Sequence, residues 1–158
     1  MMIDGLVPGA ALVATIGAGL MSGLFFAFSV AVMPALGRLQ PAVGARTMQA
    51  VNSAILNPVF GVVFGGTTAL CVLLAAAAPF SAGSGTIWIV VGAVLYVVGS
   101  FVVTLALNVP LNNRLAAVDP DSAAGAGVWS EYLVRWTGWN HVRTVMCTAS
   151  TAALALGA

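Results

Sequence analysis

Uncharged, mostly apolar stretches dominate this chain, and its polar residues gather where those stretches end. Gly5 to Gly37 carries no charged side chain, and neither does Thr47 to Asn113. Each is longer than the roughly 18–20 apolar residues that cross a hydrocarbon core. Divided at their Pro, Gly and Asn residues, these runs and the C-terminal segment predict four spans, at about residues 7–34, 52–78, 86–109 and 137–158. Pro58 falls in the first turns of the second span, where a missing N–H is tolerated. A Pro, Ser and Gly turn over 79–85 joins spans two and three, and Pro110 stops the third. The expectation is an all-α fold: one domain over 1–158, an integral membrane four-helix bundle.

Composition agrees. Hydrophobic residues make up 61% of the chain and charged ones 6%, and the mean hydropathy is +1.07. A soluble domain carries about 25% charged residues to solvate its surface. With a net charge of +1 there is no basic patch for phosphates, so no nucleic-acid partner is expected. The lipid bilayer is the expected surroundings, and nothing in the sequence sets an oligomeric state. No Lys or Arg precedes the first apolar run, which is also too long for a signal-peptide core, so it reads as a retained anchor.

The five arginines orient the bundle. Arg38 and Arg46 lie between spans one and two, Arg114 and Arg135 between three and four, and Arg143 just inside span four. The positive-inside rule puts those loops in the cytoplasm and both termini on the opposite, non-cytoplasmic side, in a bacterial plasma membrane. Gly19 with Gly23 and Gly61 with Gly65 have the small-xxx-small spacing of close helix contacts in lipid. In the loop after span three, Asp119-Pro120 resembles an N-cap followed by Pro at the first helical position. Glu131 and Arg135 are spaced to pair. Trp129, Tyr132, Trp136 and Trp139 read as an interfacial aromatic belt or as a lid over a flat ligand.

The fourth span carries the candidate chemistry. Thr144 to Ala158 is only about 22 Å of helix, so the span must begin near Trp136 or Thr137. That draws Asn140, His141 and Arg143 into its first turns, at a depth where ionisable groups normally face a bundle or cavity. Trp136, Asn140, Arg143, Thr144, Cys147 and Thr151 share one helical face, with His141 at its edge. Tyr96, Ser100, Thr104 and Asn108 form a second polar track. Asn52 and Asn57 open the second span, and Asn112 and Asn113 follow Pro110 on the same side. Capping and interhelical hydrogen bonding account for part of this cluster, and a polar pocket accounts for the rest. Cys71 and Cys147 read as packing residues. One His and no carboxylate within the spans provide no donor set for a metal, and no nucleotide or flavin fingerprint occurs, so no cofactor is expected.

Several motifs carry a resemblance. They are Phe25-Phe26-Ala27-Phe28-Ser29 with Met33-Pro34-Ala35-Leu36, Met48-Gln49-Ala50-Val51-Asn52, Asn57-Pro58 with Phe60, Asn108-Val109-Pro110-Leu111-Asn112-Asn113, and Trp136-Thr137-Gly138-Trp139-Asn140-His141-Val142-Arg143-Thr144. Together they resemble the anthrone-oxygenase-like family of small integral membrane proteins, a domain of unknown function. Some members oxidise anthrones to anthraquinones, and most have no known role. Such chemistry needs a base, donors for an enolate oxygen and a dry apolar slot. Here that implies His141 as base, Arg143, Asn140, Asn108 and Asn112 as oxyanion donors, Trp136 and Trp139 around a tricyclic ring, and Asn57 at the substrate. The partner expected is a small apolar or aromatic ligand. A non-catalytic carrier, sensor or structural membrane protein is the competing class. A carboxylate-relay pump is disfavoured, since no Asp or Glu lies in a span.

Overall fold

The computed structural model describes residues 2–81 and 83–158, which form five helical stretches joined by short turns. The first, α1, runs over Met2–Ala27, through a π-helical turn Phe28–Val32, into Met33–Leu36. A shorter helix, α2, covers Pro41–Ala54, and α3 covers Pro58–Ala77. Next, α4 begins as Thr86–Tyr96, passes through π-helical segments Val97–Val102 and Thr104–Asn108, and ends as Val109–Ala116. Last, α5 is a single helix, Ala123–Gly157. By length and composition three helices can cross a membrane: Leu6–Leu36, Pro58–Ala77 and Thr86–Ala116.

Several element boundaries differ from those read in the sequence, each for a local reason. Neither Pro34 nor Pro110 stops its helix. A proline ring clashes with the carbonyl four residues back and offers it no N–H. Those carbonyls belong to Val30 and Ala106, and each lies inside a π-helical segment. The wider turn relieves the clash and re-pairs the backbone, as membrane helices permit. Asn52 belongs to α2 rather than to the second span. Asn57 is the N-cap of α3: its Oδ1 accepts from the Phe60 N–H at 3.0 Å, and its Nδ2 donates to the Ala54 carbonyl at 3.0 Å. The cap of α5 is Ser122, whose Oγ accepts from the Gly125 N–H, not Asp119-Pro120. Asp119 Oδ1 instead accepts from the Asp121 N–H within the turn.

Helix α1 packs on α5 and on α3, and α4 packs on α5 and on α3. Small residues such as Ala11, Ala14, Ala18, Ala93 and Cys147 are fully buried where these helices meet, with Met21, Phe64 and Tyr96 filling the space between. Cys71 is fully buried there too, and both cysteines are free. The outward faces carry Leu12, Ile16 and Leu20 of α1, Val59 and Val62 of α3, and Val94 and Val98 of α4, all exposed. Such apolar faces suit lipid rather than water. A second core, of Met33, Met48, Leu115, Trp129, Tyr132 and Trp136, sits where α2 crosses the start of α5 and the end of α4.

The glycines that allow close approach are not the pairs expected from spacing. Gly23, Gly61 and Gly65 have nothing within 4 Å of a built Cβ, and Gly19 meets only Thr151, at 3.7 Å. Gly17 and Gly99 are among the tight positions: a Cβ at Gly17 would lie 2.0 Å from Thr67 Oγ1 across the α1–α3 contact, and one at Gly99 2.2 Å from Met146 Cβ across the α4–α5 contact. Gly99→Ala should therefore destabilise the protein by about 1–3 kcal/mol in detergent unfolding, the usual cost of overpacking. Gly65→Ala should leave stability unchanged or raise it, because only helix propensity changes. Equal losses in the two variants would mean α4 and α5 do not pack this way.

Candidate active site

The α5 stripe supplies the centre. Trp136, Asn140, Arg143, Cys147 and Ser150 follow the helical repeat and are all buried. Asn140 is fully buried. Its Nδ2 donates to the Phe25 carbonyl at 2.7 Å and to Ser29 Oγ at 2.8 Å, tying α5 to the π-helical turn of α1. Its Oδ1 accepts from Arg143 Nη2 at 2.7 Å. Arg143 Nη1 donates to Thr104 Oγ1 of α4 at 3.1 Å, so one side chain links α5 and α4. The guanidinium lies over two rings, its Cζ 4.3 Å from the centre of Phe25 and 5.1 Å from Trp136.

This cation is only 5% exposed and has no carboxylate partner among the described residues. The acids of the loop are engaged elsewhere. Glu131 holds Arg114 at 2.6 Å and Arg135 at 2.7 Å, while Asp121 pairs with Arg46. The Arg135 hydrogen bond, with Arg114 alongside, keeps the Glu131 carboxyl below its usual range. Burial of a lone charge is costly. Here π faces, an amide oxygen and a hydroxyl compensate it, and Arg143 Nε stays without an acceptor.

A cavity of about 90 Å³ opens beside it, walled by Phe25, Phe28, Met48, Val51, Phe60 and Trp136. Its polar lining comprises Thr104, Asn140 and Arg143, bonded to one another, and Asn52 and Asn112, both bonded to Tyr132. Ile55 and Leu56, in the break between α2 and α3, complete the lining. For scale, an apolar protein cavity of about 150 Å³ takes benzene. A larger guest must widen this one, and the α2–α3 break is the non-helical part of its wall. The Trp136 ring also stacks on Tyr132 at 5.7 Å, and Tyr132 on Trp129 at 5.8 Å. The aromatic run is thus a buried column, with Trp139 half-buried against the same core.

Of the residues singled out in the sequence, Asn140, Arg143, Asn112 and Trp136 meet at this cavity. Asn108 is buried behind it, its Nδ2 donating to the Trp136 carbonyl at 3.2 Å and its Oδ1 without a partner. Asn57 is exposed and occupied as a cap, and Trp139 does not line the cavity. His141 is exposed and lies outside it. One residue turns a helix by 100°, so with Asn140 and Arg143 facing inward, His141 faces out. Phe25, Ser29 and Met48 appear in the sequence only within the motifs of the family resemblance, without a place in the site, since they carry no charge to mark them. The sequence places Thr104 in a polar track without giving it a role. Among the described residues no cluster of His, Cys, Asp or Glu could hold a metal.

The fold and site define a helical protein in which helices long and apolar enough to cross a membrane surround a cationic, aromatic-walled cavity. Residues 54–153 match the family model described as anthrone oxygenase, and the chain belongs to that family. No curated protein and no solved structure matches it. The matched region contains Thr104, Asn112, Trp136, Asn140 and Arg143, whereas Phe25, Ser29, Met48 and Asn52 precede it.

Proposed function

We propose that this chain is a four-span membrane oxygenase that oxidises a reduced polycyclic phenol of the anthrone type with dioxygen. The observation that carries the reading is Arg143: a buried cation with no carboxylate partner among the described residues, lining an aromatic-walled cavity. In this proposal the substrate enters as its anion, having released its acidic benzylic proton to water, and its oxygen lies against Arg143. The anion passes electrons to dioxygen as a C–O bond forms at the former CH2 carbon. The peroxide anion so formed takes back a proton from water, and loss of water from the resulting hydroperoxide leaves a carbonyl there. Asn140 and Thr104 hold the guanidinium in place, so the oxyanion meets a preorganised charge in a dry site. His141 has no part in this scheme.

The test is turnover of 1,8-dihydroxyanthrone by purified protein in nanodiscs, reading quinone absorbance and oxygen uptake against empty discs. One dioxygen consumed per quinone, at a protein-dependent rate, is expected. Binding without acceleration would make the protein a carrier or sensor of that ligand.

The same proposal sets α1, α3, α4 and the C-terminal part of α5 across a bacterial plasma membrane. The Arg-bearing turns are then cytoplasmic and both termini outside. An impermeant maleimide should label Ser84→Cys in intact cells, and Ala124→Cys only after lysis. The reverse pattern would invert the topology.

A further inference from the structure

The part of the cavity lined by Asn52 and Asn112 has its own chemistry. Tyr132 is 1% exposed, and its hydroxyl lies between the two amides. It donates to Asn112 Oδ1 at 2.8 Å and accepts from Asn52 Nδ2 at 3.3 Å. A tyrosine has a single O–H to give. Whichever amide receives it, the other must donate in return. One acceptor and one donor are therefore left over, here Asn52 Oδ1 and Asn112 Nδ2, and among the described residues neither has a partner in the chain. Both residues line the cavity that Arg143 also lines.

We propose that Tyr132 is a positioning residue that locks Asn52 and Asn112 into an acceptor–donor pair reading a neutral hydroxyl at the end of the ligand distal to its anionic group. This rests on the assignment of Arg143 as the receptor of that anionic group. Tyr132 lies one turn before Trp136 and Arg143 two turns after it, about 16 Å apart along the axis of α5. Arg143 Cζ is 5.1 Å from the Trp136 ring centre and the Tyr132 ring is 5.7 Å from it. Two fused rings substituted at opposite ends would reach towards both groups once the cavity widens at the α2–α3 break. A hydroxyl both gives and takes one hydrogen bond, and so satisfies both amides. A hydrogen atom at that position leaves both amides unpaired once water is expelled, which is how buried polar groups discriminate between otherwise similar ligands.

Two probes isolate the effect: 2-naphthoate, an anion with a bare far end, and 6-hydroxy-2-naphthoate, the same anion with a hydroxyl there. Binding is measured by equilibrium dialysis of protein in nanodiscs, with empty discs as the blank. Wild-type protein should prefer the hydroxylated probe by about tenfold, the value of two neutral hydrogen bonds. Tyr132→Phe keeps the aromatic stack and should cut the preference below about threefold, with 2-naphthoate bound as before. Asn112→Leu, which leaves the column untouched, should do the same. Arg143→Gln should weaken both probes alike. A wild-type protein that binds both equally, or a preference that survives both variants, overturns the proposal and leaves the Arg143 receptor standing. Binding of neither probe overturns both.

Discussion

Arg143→Gln should slow anthrone oxidation by about 10²–10³-fold while the helices stay assembled, the loss typical of removing one oxyanion donor. Gln keeps a polar end that can reach Asn140 or Thr104, and it removes a buried charge, so stability should hold or rise. Arg143→Lys should fall between, because an ammonium on a flexible stem cannot reproduce the fork that spans Asn140 and Thr104 beneath the Phe25 ring. His141→Ala is the companion measurement and should leave the rate unchanged, since that side chain is exposed and away from the cavity. Wild-type turnover in Arg143→Gln would remove the cation from the chemistry. A large loss in His141→Ala would move the reaction to another face of α5.

Asn140→Leu should be the most damaging single change to stability, by about 3–5 kcal/mol in detergent unfolding, because it leaves a buried cation without its best partner. It also strands the Phe25 carbonyl and Ser29, the α1 groups that Asn140 holds at 2.7 and 2.8 Å. The damage comes mainly from the charge left behind, so the double variant Asn140→Leu/Arg143→Met should recover much of the loss. Both variants should be inactive. A double-mutant cycle with no coupling between the two positions would show that the guanidinium is stabilised by its π faces and Thr104 rather than by Asn140.

The membrane character and the general place of the site are legible in the sequence for one physical reason. Charge is so costly in lipid that its absence over long runs, and its return at their ends, admits few structures. What is not legible concerns local geometry. Pro110 reads as a stop because proline breaks an ordinary helix, the first span reads as ending at about Pro34, and nothing in the neighbours of either proline announces a wide turn. Helix α2 reads as loop because its runs are short and polar, although Ala45 and Met48 already sit three apart on its buried side. His141 stands out by residue type, being the one histidine of the chain, but type does not fix direction. Its inward neighbours, Asn140 and Arg143, fix that. Phe25 and Ser29 lie 111 or more residues from the Asn140 and Thr144 side chains they meet, and no periodicity within one helix reports a contact between two.

The wide turn in α1 makes chain length part of the site's address. A π-helical turn spends one residue more than an α-helical turn to close its hydrogen bonds. Deleting a single residue from Phe28–Val32, such as Val30, would let α1 close as a regular α-helix with Phe25 facing nearly as before relative to Met33 and Leu36, because the wide turn spends its extra residue on the same full rotation. The Pro34 ring would then meet the carbonyl of an ordinary α-helical turn and offer it no N–H, so α1 would kink where the wide turn now relieves it. The groups that brace Asn140, at Phe25 and Ser29, would move away from Met33 and Leu36 of the second core. A relative keeping every polar residue described here but one residue shorter in that turn would therefore keep its apolar helices and lose the pocket.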